Sequence, residues 1–142
     1  MKNILYPFHL AFPVKNLADT KIFYTQILGC SLGRTNDKWI DFNFFGHQIT
    51  AHLSPESFNL EDDANIVDGK NVPVRHFGLI LDWENWHIIK NNLIKQKVSF
   101  IIEPYIRFSG QKGEQATLFI ADPSFNGIEL KSFKEKEMIF AT

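Results

Sequence analysis

Cysteine is almost missing from this sequence of 142 residues, in which Cys30 is the only one. A single cysteine excludes a disulfide within the chain and a zinc site built from several thiolates, and it suits a reducing compartment. An excess of positive charge is also missing, since 15 Lys and Arg stand against 16 Asp and Glu. This balance argues against nucleic acid and against an anionic membrane surface as partners.

Long hydrophobic runs are missing as well, and no stretch is long enough to cross a membrane. The start of the chain, MKNILYPFHLAF, has one lysine and an apolar run, but Pro7 and His9 interrupt this run. No small-residue cleavage site follows, so the start is predicted to be a first strand and not a signal peptide. We therefore expect a cytoplasmic protein.

Phenylalanine, in contrast, is abundant, with 14 residues that fall mostly inside strand-like runs. This abundance favours a core dominated by sheet, or an apolar cavity. A chain of this length can bury about two-thirds of its unfolded surface without a metal or a disulfide. A metal in this protein would therefore not be needed for folding.

One order of secondary-structure patterns occurs twice along the chain. The first half contains a strand pattern, a helix pattern and three more strand patterns, at residues 6–14, 16–29, 30–35, 38–45 and 47–53. The second half repeats this order at residues 72–82, 83–97, 98–108, 114–122 and 126–133. The internal repeat predicts an α+β fold made of two βαβββ modules.

We expect residues 1–142 to form a single domain, with module one at about 4–54, a linker at 55–71 and module two at about 72–134. The linker is acidic, rich in turn-forming residues and without clear periodicity. A connection as long as residues 55–71 is unusual in a compact domain, so this linker is either a functional flap or a disordered segment.

Two histidines occupy equivalent positions in the repeat. Alternation along the first strand of each module places His9 or His76 on the face opposite the bulky apolar residues. A small residue, Ala11 or Gly78, follows two positions later and leaves room beside each imidazole. For either histidine considered alone, a hydrogen-bonded strand residue is the simpler explanation.

Glu129 adds a carboxylate to these two imidazoles. It lies between Ile128 and Leu130 in the last strand, on the face that it shares with Lys131 and Phe133. A half-exposed strand would explain it without any function. Two histidines and one carboxylate are, however, a ligand set that holds a divalent metal and leaves coordination positions open.

The segments that carry these residues, PFHLAFPV, VPVRHFGLIL and DPSFNGIELKSF, resemble the vicinal oxygen chelate superfamily of glyoxalase I, fosfomycin-resistance proteins and extradiol dioxygenases. The segments WIDFNFFGHQITAHLSPE and IEPYIRFSGQKGEQATLFIADPS are similar to predicted bacterial dioxygenases of the extradiol type. The resemblance implies the glyoxalase/dioxygenase fold, in which two modules pair into a cupped mixed sheet, and a homodimer. It also implies His9, His76 and Glu129 as ligands of a divalent metal, Fe(II) first, with Mn, Ni and Zn as alternatives.

The resemblance further suggests catalytic residues, because extradiol enzymes use a His and a Tyr beside the metal. His52 and Tyr105 are the candidates, although His52 could instead be a fourth ligand and Tyr105 a packing residue. Glyoxalase I takes a carboxylate ligand from the fourth strand, where this chain has the polar residues Gln48, Thr50 and His52. Three functions stay open: an extradiol-type ring-cleaving dioxygenase, which we favour, a glyoxalase-like isomerase or lyase, and a metal-free protein that binds a small ligand.

Five further residues have less specific expectations. Arg107, Lys112 and Gln115 either meet an anionic group of the substrate or are solvated side chains. His87 lies inside the second helix pattern and is expected at the surface. Cys30 is expected to be a small buried residue and not a nucleophile, because no adjacent cation would lower its pKa.

Overall fold

The computed structural model describes residues 5–55 and 64–142. It confirms the α+β fold with two βαβββ motifs. The chain separates into two compact units, Met1–Asn59 and Leu60–Thr142, and each contains one of the motifs.

The first unit contains one four-stranded sheet and one helical segment. Its elements are β1 His9–Val14, α1 Leu17–Ile22, a π-helical continuation Phe23–Ile27, β2 Ser31–Thr35, β3 Trp39–Phe44 and β4 His47–Leu53. The sheet order is β1-β4-β3-β2, with β1 and β4 parallel and the other pairs antiparallel. Asn16 caps α1, because its side chain accepts a hydrogen bond from the Asp19 amide.

An aromatic cluster forms the core between the helical segment and the sheet of this unit. Tyr24 is fully buried and stacks on Phe42 of β3, with ring centroids 5.0 Å apart. Phe12 of β1 packs against the same tyrosine ring. Because Phe12 and Val14 are buried, the alternate residues of β1, His9 among them, lie on the opposite face of the sheet.

The second unit repeats this plan after a hairpin. Its elements are β5 Ala64–Val67, β6 Lys70–Pro73, β7 His76–Leu81, α2 Trp83–Lys95, β8 Phe100–Arg107, β9 Gln115–Ala121, β10 Gly127–Phe133 and a 3₁₀ helix Lys136–Phe140. The main sheet has the order β7-β10-β9-β8, with β7 and β10 parallel. Trp86 of α2 is buried and donates a hydrogen bond from its indole N–H to the Leu130 carbonyl at 2.8 Å, which fixes the helix on β10.

A hairpin of β5 and β6 occupies the second half of the linker predicted at 55–71, where the sequence showed no clear periodicity. Asp68 and Gly69 form its two-residue turn with φ angles of 51° and 72°. Positive φ at both positions is characteristic of a type I′ turn, and Asp-Gly is a sequence signal for that turn. Residues 56–63 of the linker lie outside the described part of the chain.

Several boundaries also differ from the sequence prediction. The first helix pattern begins at Leu17, ends as regular α-helix at Ile22 and continues in π form. The strand predicted at 72–82 is divided, because residues up to Pro73 belong to the hairpin and β7 begins at His76. In residues 5–55 and 64–142, no helix has the length and apolar composition needed to span a membrane.

Candidate metal centre

His76 and Glu129 come together at the parallel pair of β7 and β10. Glu129 lies opposite Gly78, and His76 lies opposite Gly127, one step earlier on the same face. The neighbours of Glu129 in β10, Ile128 and Leu130, are buried on the helix side. The Glu129 side chain is 15 % exposed on the other side, so the predicted alternation of this strand is confirmed.

The imidazole of His76 points its Nε2 at the carboxylate. His76 Nε2 lies 3.3 Å from Glu129 Oε2, and His76 Nδ1 lies 2.7 Å from the carbonyl oxygen of Pro73. Because a carbonyl oxygen only accepts hydrogen bonds, the ring must carry a proton on Nδ1 to form this contact. In the neutral ring, Nε2 then has the lone pair that a metal ligand needs.

The second oxygen of Glu129 is held by two other side chains of the same face. Thr117 of β9 donates a hydrogen bond to Glu129 Oε1 at 2.8 Å, and the Lys131 ammonium lies 3.9 Å from the same oxygen. The carboxylate is therefore oriented, with Oε2 directed at the imidazole. Such contacts orient metal ligands in known centres.

The spacing of these two donor atoms fits a shared ion. Atoms that each lie about 2.1 Å from one metal are separated by roughly 3 Å when they occupy adjacent coordination positions. The observed 3.3 Å between Nε2 and Oε2 agrees with this spacing. Within either unit taken by itself, the described residues contain no group of three or more His, Cys, Asp or Glu side chains that could hold a metal.

The first unit shows an equivalent but different arrangement at its own parallel pair. His9 lies at the exposed start of β1, opposite Gln48 of β4, and Ala11 lies opposite Thr50. The strand register thus makes His9 equivalent to His76, and Thr50 equivalent to Glu129. The first unit therefore has a hydroxyl where the second unit has the carboxylate.

The Thr50 hydroxyl donates a hydrogen bond to the buried carboxylate of Asp41. Asp41 of β3 accepts a hydrogen bond from Thr50 Oγ1 at 2.6 Å and another from Arg34 Nε at 3.1 Å. Only 7 % of the Asp41 side chain is exposed, against 78 % for Arg34. Asp41 was not predicted as a site residue, although a carboxylate between the apolar residues Ile40 and Phe42 of a strand was a signal for it.

A cavity of about 300 Å³ opens beside this group within the first unit. Its walls include Arg34, Asp41, Asn43, His47 and Gln48. Gln48 is the cross-strand partner of His9, so the cavity lies on the face of the sheet that carries His9. The first unit thus has a cavity with several polar side chains on the face that carries His9, although His9 itself does not line it.

His52 lies on the same face but further along it. Its cross-strand partner is Pro13, four residues beyond His9, which corresponds to about 13 Å at the rise of a strand. In the repeat, His52 is equivalent to Lys131 and not to Glu129. The register therefore separates His52 from His9.

Tyr105 of β8 has a partner that the sequence did not indicate. Its hydroxyl donates a hydrogen bond to Asp68 Oδ2 at 3.1 Å, and the Arg107 guanidinium forms an ion pair with the same carboxylate. Burial, together with the hydrogen bond to Asp68, raises the pKa of Tyr105 above its ordinary value. The phenol therefore stays protonated at neutral pH.

Comparison with known families agrees with this architecture. The model of the Glyoxalase/Bleomycin resistance protein/Dioxygenase superfamily matches residues 7–130. The chain belongs to this superfamily. The resemblance seen in the sequence is thereby confirmed, whereas the match does not distinguish among the activities in the superfamily name. A comparison with curated proteins gave no significant match.

Solved structures of superfamily members have the same fold. A glyoxalase/bleomycin resistance protein/dioxygenase from Alicyclobacillus acidocaldarius is 30 % identical with a TM-score of 0.78, over 99 % of this chain and 100 % of that one. A fosfomycin resistance protein from Listeria monocytogenes is 17 % identical with a TM-score of 0.68, over 95 % and 98 % of the two chains. A lactoylglutathione lyase from Agrobacterium tumefaciens is 14 % identical with a TM-score of 0.65, over 99 % and 100 %.

Cys30 and His87 are both explained by packing and need no role in catalysis. Burial raises the pKa of the Cys30 thiol to about 12, so the thiol stays protonated and is a poor nucleophile. His87 of α2 packs edge-to-face against the rings of Trp83 and Trp86. Burial, with a smaller contribution from Lys90, lowers the pKa of His87 below its ordinary value.

Proposed function

We propose that this superfamily member is a metal-dependent enzyme in which His76 and Glu129 hold a divalent metal, with Fe(II) as the first candidate. The observation that carries the proposal is the pair of donor atoms 3.3 Å apart, with the imidazole oriented by a backbone carbonyl and the carboxylate by Thr117. The third proposed ligand, His9, rests on its equivalence to His76 in the repeat and on the sequence resemblance.

The substrate that we propose is a small molecule with two adjacent oxygens, and the reaction is extradiol-type ring cleavage. A bound divalent metal would supply Lewis acidity toward both oxygens and, as Fe(II), redox chemistry as well. The protein's contribution is to hold both ligands in place. The Pro73 carbonyl accepts a hydrogen bond from the His76 ring, which leaves Nε2 facing the carboxylate, and the Thr117 hydroxyl and Lys131 ammonium orient Glu129 Oε1.

Tyr105 and His52 are the catalytic residues that we propose. The raised pKa of Tyr105 keeps its phenol protonated, so this side chain is suited to donate a hydrogen bond to a developing oxyanion. Tyr105 pairs across the strands with Thr117, the residue that holds Glu129. His52, on the exposed face of β4, is the candidate general acid or base for a part of the substrate that reaches it.

The name of the Alicyclobacillus relative includes glyoxalase, bleomycin resistance protein and dioxygenase. The experiment must therefore separate these three. Protein loaded with Fe(II) under anaerobic conditions is mixed with catechol or 3,4-dihydroxybenzoate and air, and oxygen consumption is followed. The hemithioacetal of methylglyoxal and glutathione is tested in parallel with Ni(II)-loaded and Zn(II)-loaded protein.

We expect oxygen consumption with a catechol, its loss in Glu129→Gln, and its retention in the control His87→Gln. Turnover of the hemithioacetal without oxygen consumption would instead indicate an isomerase or lyase. Binding of a catechol with equal affinity to wild type and Glu129→Gln, without turnover, would indicate a binding protein and would contradict the proposal.

A further inference from the structure

Asp68, in the turn of the β5–β6 hairpin, reaches the strand β8 with its carboxylate. Asp68 Oδ2 accepts a hydrogen bond from the Tyr105 hydroxyl at 3.1 Å and lies 2.5 Å from Arg107 Nε. Asp68 Oδ1 lies 3.5 Å from a terminal nitrogen of the same guanidinium. One carboxylate thus engages an arginine through both of its oxygens and a phenol through one.

This arrangement is how proteins bind a carboxylate ligand, because a guanidinium offers several donors in a fixed fork. The Lys70 ammonium adds positive charge to the same place, 4.7 Å from the centre of the Tyr105 ring. Here, however, the carboxylate belongs to the protein itself. It is carried on a hairpin turn that needs positive φ at Asp68, a conformation that costs a non-glycine residue some energy.

The contact of Asp68 with β8 is suited to exchange. The Asp68 side chain is 40 % exposed and that of Arg107 24 %. Ion pairs that solvent reaches to this extent contribute little to stability, so a ligand carboxylate can compete for the same donors. The hairpin also has its own backbone hydrogen bonds between β5 and β6, and these do not involve β8.

The donors face the candidate metal centre. Tyr105 pairs with Thr117 across β8 and β9, and Thr117 donates its hydrogen bond to Glu129 of β10. Two strand spacings, about 10 Å in total, separate the backbones of β8 and β10. A substrate of one aromatic ring, with an anionic group on the side away from its two oxygens, would span this distance.

We propose that Asp68 occupies the binding site for a carboxylate of the substrate, and that the substrate displaces it from Arg107 and leaves the Tyr105 hydroxyl free for the role proposed above. Asp68 is then an internal competitor, and the hairpin turn is released when substrate binds. The part of this proposal that places two adjacent oxygens of the substrate at the metal rests on the proposed function. The part that places a substrate carboxylate at Arg107 rests only on the contacts of Asp68.

The test compares ligands that differ in one carboxylate. Isothermal titration measures the binding of 3,4-dihydroxybenzoate and of catechol to metal-loaded protein, and of benzoate to metal-free protein. The variants are Asp68→Asn, which removes the competing charge and keeps the size, and Arg107→Gln, which removes the main donor. The matched control is Asp37→Asn, which removes an exposed carboxylate between β2 and β3 of the first unit.

We expect Asp68→Asn to bind 3,4-dihydroxybenzoate and benzoate about tenfold more tightly, because a site that is occupied nine-tenths of the time lowers apparent affinity by that factor. We expect Arg107→Gln to bind both about tenfold more weakly. Catechol affinity should be unchanged in both variants, and Asp37→Asn should match wild type throughout. Circular dichroism and the unfolding midpoint verify that each variant is folded.

Unchanged affinity of both carboxylate ligands in Asp68→Asn, or equal changes for catechol and 3,4-dihydroxybenzoate, would overturn the proposal. The absence of benzoate binding to wild type and to Asp68→Asn would overturn it as well. Failure of the metal proposal would give a different result. Catechol affinity would then be the same with and without metal, while benzoate affinity for metal-free protein would still change in Asp68→Asn and Arg107→Gln.

Discussion

Gly78 lies opposite Glu129 in the parallel pair of β7 and β10, and the carbonyl group of Glu129 occupies the space that a side chain at position 78 would need. A Cβ at this position would overlap backbone atoms, which cannot rotate away. Glycine is therefore required for the close approach that brings His76 and Glu129 together. The small residue noted beside His76 in the sequence has this physical reason.

Gly78→Ala should be destabilising, because it must push β10 away from β7 and break their hydrogen bonds. We expect a loss of about 3 kcal/mol in the free energy of unfolding, at the upper end for overpacking a well-packed position. Urea denaturation measures this loss. The control is Ala11→Gly at the equivalent position of the first unit, where a strand glycine costs about 0.5–1 kcal/mol. Equal effects of the two changes would contradict the close approach.

Thr117→Val should weaken metal binding without unfolding the protein. The change keeps the shape of the buried side chain and removes the hydroxyl that orients Glu129 Oε1. Loss of such an orienting contact typically lowers metal affinity about 10- to 100-fold. Competition with a chelator measures the affinity. Thr25→Val, which removes a hydroxyl bonded only within the helical segment, is the control and should bind metal as wild type does.

Thr50→Val should be destabilising in the first unit for a different reason. It removes the hydrogen bond to Asp41 Oδ1 and leaves this oxygen of a buried carboxylate without its donor. Burying an unsatisfied polar group costs about 1–3 kcal/mol. Chemical denaturation measures the loss, and metal affinity measured beside it should change little, because Thr50 is not among the proposed ligands. A stability equal to that of wild type would contradict the role of this hydrogen bond.

His87 should contribute to the pH dependence of the free energy of unfolding. Its pKa in the folded protein is below the ordinary value of 6.5, because burial and Lys90 disfavour the charged ring. The unfolded chain therefore binds more protons below about pH 6.5, and stability decreases as the pH falls through this value. Unfolding midpoints at pH 7.5 and at about pH 5.5 should differ less in His87→Gln than in wild type. An unchanged difference would contradict the assignment.

The repeat and the face of each strand were predictable from sequence, because period-two alternation determines which residues share a face. His9, His76 and Glu129 lie on the predicted faces for this reason. The partners of these residues were not predictable, since the Thr117 hydrogen bond depends on cross-strand register and the Pro73 contact on the bend between β6 and β7. The hydrogen bond between Tyr105 and Asp68 was not predicted, because the linker that contains Asp68 has no periodicity from which its strands could be recognised.

Other expectations stay predictions. They are the single domain over 1–142, the cupped pairing of the two modules, the homodimer, the cytoplasmic location, and the catalytic roles of His52 and Tyr105. Light scattering of the purified protein would test the homodimer. Residues 56–63, between β4 and the hairpin, lie outside the described part of the chain, so neither a flap nor disorder is assigned to them.

The most direct test of the central claim is metal content. Untagged protein is purified without oxygen or chelator, reconstituted with Fe(II), desalted and analysed for metal, beside His76→Ala, Glu129→Gln and the control His87→Gln. We predict about one metal ion per chain in wild type and control, and a loss in both site variants, whose circular dichroism should remain that of the folded protein. Equal metal content in all four proteins, or none in any of them, would contradict the assignment of His76 and Glu129 as metal ligands.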